Sequence, residues 1–282
     1  MSKVQFGAII VILGLLLSTS ARAQRPGPGG PYTTRRLVVS RYVIITSFGP
    51  LAPALFGQRL PLESGDSGIF VTRRQALDPA SEPTLGFVGG VMIGGFPNFE
   101  FGAVFANIEV VGARNFVVLP PPIIMTYQFP FDSVDIGLRL NLSAGSPFRL
   151  FPGVPIRIRL PKTRIDTGVF PSVQFLSSRD DGPGTISGLN LPVRVTYNIR
   201  PHLFAGFETG FVEPAFTEAH DHVIPLGVVG GYTFLNGSKV IDFNMSFVWD
   251  NFLFLDPAPG EDAVQAGFFR FNVGLNLQFA LL

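Results

Sequence analysis

Val134-Asp135-Ile136-Gly137-Leu138-Arg139-Leu140-Asn141-Leu142 decides the fold of this chain. Every second residue is aliphatic, and those between are charged, amide or glycine. Successive side chains of an extended strand point to opposite faces, so this stretch predicts a strand that meets two different solvents. The same alternation returns in Val154 to Leu160, where Ile156 and Ile158 flank Arg157 and Arg159. It returns in Leu189 to Asn198, and again where Ile241, Phe243, Met245, Phe247 and Trp249 alternate with Asp242, Asn244, Ser246 and Asp250. The last run sets Phe269, Phe271, Val273, Leu275, Leu277 and Phe279 against Arg270, Asn272, Gly274, Asn276 and Gln278.

Working outward, the chain is 46% apolar and 15% charged, well below the roughly 25% charged usual for soluble domains. That much hydrophobicity excludes disorder. With 32 Gly and 25 Pro, long helices are excluded over most of the length. Basic and acidic residues nearly cancel, 21 against 20, so no charge argument for nucleic-acid binding exists. Cysteine is absent, which removes disulfides, metal thiolates and thiol nucleophiles.

The start of the chain reads as a secretory signal over residues 1–23. Lys3 supplies the positive charge, Phe6 to Leu17 the apolar run, and Ala21-Arg22-Ala23 the small residues of a cleavage site. The run is too short for a membrane-spanning helix, which needs about 20 residues. No later run is long and apolar enough either.

Alternating strands also build soluble β-sandwiches, whose water-facing side is normally rich in Lys, Glu and Thr. Here the polar face is mostly Asn, Ser, Gly, Arg and Asp, and the apolar face carries five or six large residues per strand. A lipid-facing outer wall around a polar interior accounts for both. Spans near 68–73, 85–94, 98–109, 122–129, 133–142, 153–160, 164–176, 188–198, 202–211, 223–234, 239–250 and 267–281 predict about twelve strands. The links alternate between short (95–97, 130–132, 161–163, 199–201, 235–238) and long (74–84, 110–121, 143–152, 177–187, 212–222, 251–266). The expectation is therefore an all-β chain: a closed antiparallel transmembrane β-barrel over residues 68–282, with short periplasmic turns, longer external loops and both termini periplasmic. Residues 24–67 break the pattern. They fit a periplasmic extension, a plug entering the lumen, or added wall; a single extra strand would upset the order of links, so added wall means a pair near 37–48 and 51–62 and fourteen strands.

In its signal peptide, its alternation and its aromatic-rich last strand the chain resembles the Gram-negative outer-membrane β-barrel proteins. The resemblance is to a porin-like class and implies passive uptake of small solutes, with outer-membrane lipids and the outer-membrane insertion machinery as partners. That machinery reads a terminal aromatic in such proteins, whereas this chain ends Phe279-Ala280-Leu281-Leu282. Trp249 and Phe269 fall at the expected external rim, and Tyr197, Tyr232, Phe234 and Phe279 at the periplasmic one, where aromatic girdles sit.

If the apolar rows face lipid, Arg139, Arg157, Arg159, Arg164 and Arg194 point inward from consecutive strands, and Glu208, Asp242 and Asp250 from the strands that follow. With Asp135, Asp166 and Arg270 these are the expected lumen residues. Segregated walls of opposite charge would set a transverse field across a pore; pairing of the acids with the arginines would instead fill a narrow lumen. The expectation is a passive channel or uptake porin with a charged lumen, and the alternative is a filled, non-transporting barrel with a structural or surface-interaction role.

No enzyme chemistry is expected. His202, His220 and His222 are the only histidines, and none stands in a Ser-His-acid pattern. Glu218-Ala219-His220-Asp221-His222 is the one stretch with metal-like spacing, and His220 and His222 are weak candidates there because polar loop tips carry such residues anyway. No cofactor is expected.

Overall fold

The computed structural model describes residues 31–37, 43–48, 68–73, 84–111, 115–118, 122–143, 148–175, 185–213, 222–236, 239–257, 263–264 and 269–280. The expected signal segment and residues 51–62 lie outside them. Among the described residues, apart from one turn of 3-10 helix, Tyr32–Thr34, the regular structure is antiparallel strand, joined in a 14-stranded sheet. The strands are β1 (Val43–Phe48), β2 (Gly68–Arg73), β3 (Thr84–Phe96), β4 (Phe99–Val111), β5 (Asn115–Val118), β6 (Pro122–Pro130) and β7 (Val134–Ser143). They continue as β8 (Phe148–Arg159), β9 (Thr163–Phe175), β10 (Thr185–Arg200), β11 (Leu203–Glu213), β12 (Val223–Asn236), β13 (Lys239–Phe254) and β14 (Phe269–Ala280).

From β6 to β14 each strand pairs with the next in sequence, as short-range hairpin connection requires. Before β6 the order is less regular. β4 pairs β3 along its length, β6 over Phe99 to Ala103 and the short β5 over Ile108 to Val111. β1 and β2 share one place in the wall. On β14, β2 takes residues 269–274 and β1 takes 275–280; on β3, β2 takes 84–87 and β1 takes 89–93. Two short segments thus lie end to end along one long neighbour, with β1 inside the first segment of the expected pair and the second, 51–62, outside the described residues.

Every expected span has a strand counterpart, but the boundaries differ. The supposed long link 143–152 shrinks, since β7 continues to Ser143 and β8 already begins at Phe148. Pro152 and Gly153 read as breakers in sequence, yet they sit opposite Leu140 and Arg139 within the β7–β8 ladder. β13 likewise extends to Phe254 rather than ending at Asp250. The tight turn expected at residues 95–97 is Pro97-Asn98, with Asn98 in the left-handed region at φ 62°. Asn tolerates that conformation better than most side chains.

Burial is inverted relative to a water-soluble domain. Glu100, Gln128, Asp135, Arg139, Arg157, Arg164, Asp166, Asn190, Glu208 and Asp242 are buried, whereas Phe101, Ile123, Leu138, Val169, Phe207, Val228, Phe243 and Met245 are exposed. Alternation then follows the strands: in β9, Arg164, Asp166, Gly168 and Phe170 are buried, while Val169 between the last two is exposed. A sheet with polar residues inside and large apolar ones outside needs a non-aqueous medium against its outer face.

Candidate functional site

The candidate site is the charged buried face of β6 to β13 together with the segment Pro31 to Leu37. Strand register brings the charges together. Opposite Arg157 stand Asp135 on β7 and Asp166 on β9, and opposite Arg194 stand Asp166 on β9 and Glu208 on β11. Sign therefore alternates from strand to strand: Asp135, Arg157, Asp166, Arg194, Glu208. The expected segregation of an arginine wall from an acidic wall does not arise, because Asp135 and Asp166 are interleaved with the arginines at the same level.

The pairs are close. Arg157 Nε donates to Asp166 Oδ1 at 2.6 Å, and Arg164 Nε to Asp166 Oδ2 at 2.7 Å. Arg194 Nη2 and Nε both donate to Glu208 Oε2, at 2.8 and 3.0 Å. Arg159 Nε donates to Asp135 Oδ2 at 3.1 Å. Arg139 Nε donates to Thr126 Oγ1 at 3.1 Å, with Glu100 4.0 Å from its guanidinium. These are charge-assisted bonds, stronger than neutral ones, and they hold the arginines against the wall. Of the other expected lumen residues, Asp242 is buried, while the side chains of Asp250 and Arg270 lie outside the described residues.

The N-terminal segment completes the cluster. Arg35 bridges to Asp242, with Nη2 donating to Oδ1 at 2.9 Å and to Thr233 Oγ1 at 3.3 Å. Thr233 Oγ1 donates to the same carboxylate at 2.7 Å. Arg36 Nη1 donates to Asp135 Oδ1 at 2.7 Å, and the Leu37 N–H to Asp135 Oδ2 at 3.1 Å. In the other direction, Arg164 Nη1 donates to the Tyr32 carbonyl at 2.9 Å and Arg157 Nη1 to the Arg36 carbonyl at 2.6 Å. The Tyr32 ring lies between the Arg164 guanidinium, 3.9 Å from its centroid, and the Phe204 ring, stacked at 3.8 Å and 4°. Asn198 Nδ2 donates to Thr33 Oγ1 at 2.6 Å. The segment thus offers cations to carboxylates and carbonyl oxygens to guanidiniums.

Glycines on the buried face make the room. A Cβ on Gly137 would come within 2.8 Å of Leu37 Cδ2, one on Gly168 within 2.7 Å of the Phe170 ring, and one on Gly231 within 2.5 Å of the Phe204 ring. Phe170 and Phe204 are each 1% exposed. Aromatic side chains spread over backbone on the same or a neighbouring strand replace the packing that the missing Cβ atoms would give.

Sequence reading did not single out Tyr32, Thr33, Leu37, Phe170, Phe204 or Glu100. The signal for the aromatics was available, since Gly137, Gly153 and Gly168 are small residues in mostly polar rows, and small positions in a packed interior imply large partners. Among the described residues no group of three or more His, Asp or Glu could hold a metal ion. His220 is outside them, and His222 Nε2 lies 2.6 Å from Glu213 Oε2.

No family model and no curated protein matches the chain. Solved structures similar to it include in-vitro folded OmpT, an outer membrane protein of Vibrio cholerae in trimer form, at 8% identity over 84% of this chain and 99% of that one, with TM-score 0.34. Outer-membrane expressed OmpT of the same organism matches at 10% identity over 86% and 99%, with TM-score 0.35. The structures it resembles are outer membrane β-barrel proteins, and an all-antiparallel sheet agrees with that class. A likeness this distant adds nothing to the argument from burial.

Proposed function

We propose that this protein is an outer-membrane β-barrel whose lumen is filled at its short-turn, periplasmic end by its own N-terminal segment, and which acts without enzyme chemistry as a structural or surface-interaction barrel. The pairings β2–β3, β3–β4 and β2–β14 support closure, because they join the two ends of the strand series into twelve wall positions. Apolar outward rows favour lipid as the medium. The observation that carries the filled reading is the insertion of Tyr32 to Leu37, which sits beside the tight links: Arg36 bonds the Phe131 carbonyl, and Arg35 bonds Thr233 next to the β12–β13 turn.

A charged lumen conducts when its fixed charges face water and a continuous path. Here the acids and arginines face each other, and Phe151, Phe170 and Phe204 occupy the same buried face. Conductance of the purified full chain in a planar bilayer tests the reading. The filled barrel gives no steady conductance above the bare membrane; a stable open level with ion selectivity would establish the channel reading in its place.

A further inference from the structure

Resting on the filled-barrel reading, we infer that the buried face around Asp242, Asp135 and Phe204 is a binding site for a short peptide carrying an aromatic residue followed three and four residues later by arginines, and that Pro31 to Leu37 is its resident ligand in cis. A segment that merely occupied space would need bulk and little else. This one is recognised position by position. Tyr32 lies in a slot between a guanidinium and a phenyl ring, both on the wall. Arg35 and Arg36 each meet a separate carboxylate that is almost fully buried. The carbonyls of residues 32 and 36 accept from wall arginines, as a bound peptide backbone would. Leu37 lies against a wall position that only glycine leaves open. Thr34 alone is exposed and bonds only the Pro31 carbonyl within its own turn.

The specificity follows from these contacts. A planar guanidinium against a carboxylate backed by a hydroxyl discriminates arginine from lysine, which carries no fork. The aromatic slot combines stacking with a cation–π contact and prefers an electron-rich ring. A peptide in trans competes with a tethered ligand at an effective concentration of order millimolar for short flexible tethers, so the native chain masks its own site.

The experiment uses the full chain with Tyr32→Ala, Arg35→Ala and Arg36→Ala combined, folded as judged by heat-modifiable migration in detergent. The probe is a fluorescein-labelled heptapeptide of the sequence from Pro31 to Leu37. Saturable binding to the triple variant is expected, at least tenfold stronger than to the native chain. Adding Asp242→Asn to the variant, or replacing either arginine of the probe by lysine, should weaken it at least tenfold. No saturable binding, or equal binding of a scrambled heptapeptide, overturns the inference. Should the triple variant not fold, Tyr32→Cys in the otherwise cysteine-free chain carries an environment-sensitive dye. Excess peptide must then release the dye to solvent, and an unmoved signal overturns the inference. Bilayer conductance of the native chain judges the filled-barrel reading separately, so the two fail by different measurements.

Discussion

Asp166→Asn isolates the difference between a filled interior and a watery one. The carboxylate is 2% exposed and holds two guanidiniums, Arg157 at 2.6 Å and Arg164 at 2.7 Å. The amide is nearly isosteric, so the change removes one negative charge and little volume. Both guanidiniums lose the ion pair with Asp166, while Arg157 retains the Arg36 carbonyl and Arg164 the Tyr32 carbonyl. Breaking a buried pair by deleting one partner costs about 3–5 kcal/mol, while an exposed pair is worth about 0–1 kcal/mol. With two buried ion pairs broken at once, the larger range applies, roughly a thousandfold in the folding equilibrium at about 4 kcal/mol. Reversible urea unfolding in detergent micelles, followed by Trp249 fluorescence and heat-modifiable migration, measures it; Lys162→Gln, at an exposed turn, serves as the control and should leave the midpoint where it is. A loss below about 1 kcal/mol would mean that water solvates these arginines, and the filled interior would be refuted.

Three further outcomes are expected. The processed chain should partition into outer-membrane fractions and migrate heat-modifiably, since its exposed apolar rows need lipid; recovery as a soluble periplasmic monomer would sink the barrel. A protease site inserted at Asp181 or Glu261 should be cut on intact cells and one at Gly237 spared, with the reverse pattern overturning the orientation. Phe170→Ala should destabilise by about 3–5 kcal/mol, because its ring fills the space above Gly153 and Gly168; retained stability in the same urea assay would show that the ring is not packed.

Strand positions were legible in the sequence because the period of two is a local property. Val134 to Leu142 reads the same way whether or not its neighbours are known, and β7 covers that span. Strand ends were less legible. Pro152 in β8 faces Leu140, so its missing N–H and fixed φ are tolerated inside a ladder that sequence alone would have ended there. The paired place of β1 and β2 was hidden for another reason: nothing local says that two short segments 20 residues apart in the chain align on the same edge of β14.

Charges were half legible. Parity assigned Arg139, Arg157, Arg164 and Asp166 to the buried face, where they are. Their partners depend on register, and a register is fixed by turn length across each hairpin. The β8–β9 turn sets Arg157 against Asp166, and the β10–β11 turn sets Arg194 against Glu208. Shifting either hairpin by two residues would preserve every inside-outside assignment and still break the pair. The interleaving of sign across β7 to β11 is thus a property of several turns acting together. The arginines of the 31–37 segment meet what the wall leaves over: Arg36 joins Arg159 on Asp135, and Arg35 bridges Asp242. A wall that neutralised itself completely would have no use for the segment, and a wall built for passing ions would leave Asp242 to water. The occupied Asp242 is therefore the residue at which a channel and a filled barrel part company.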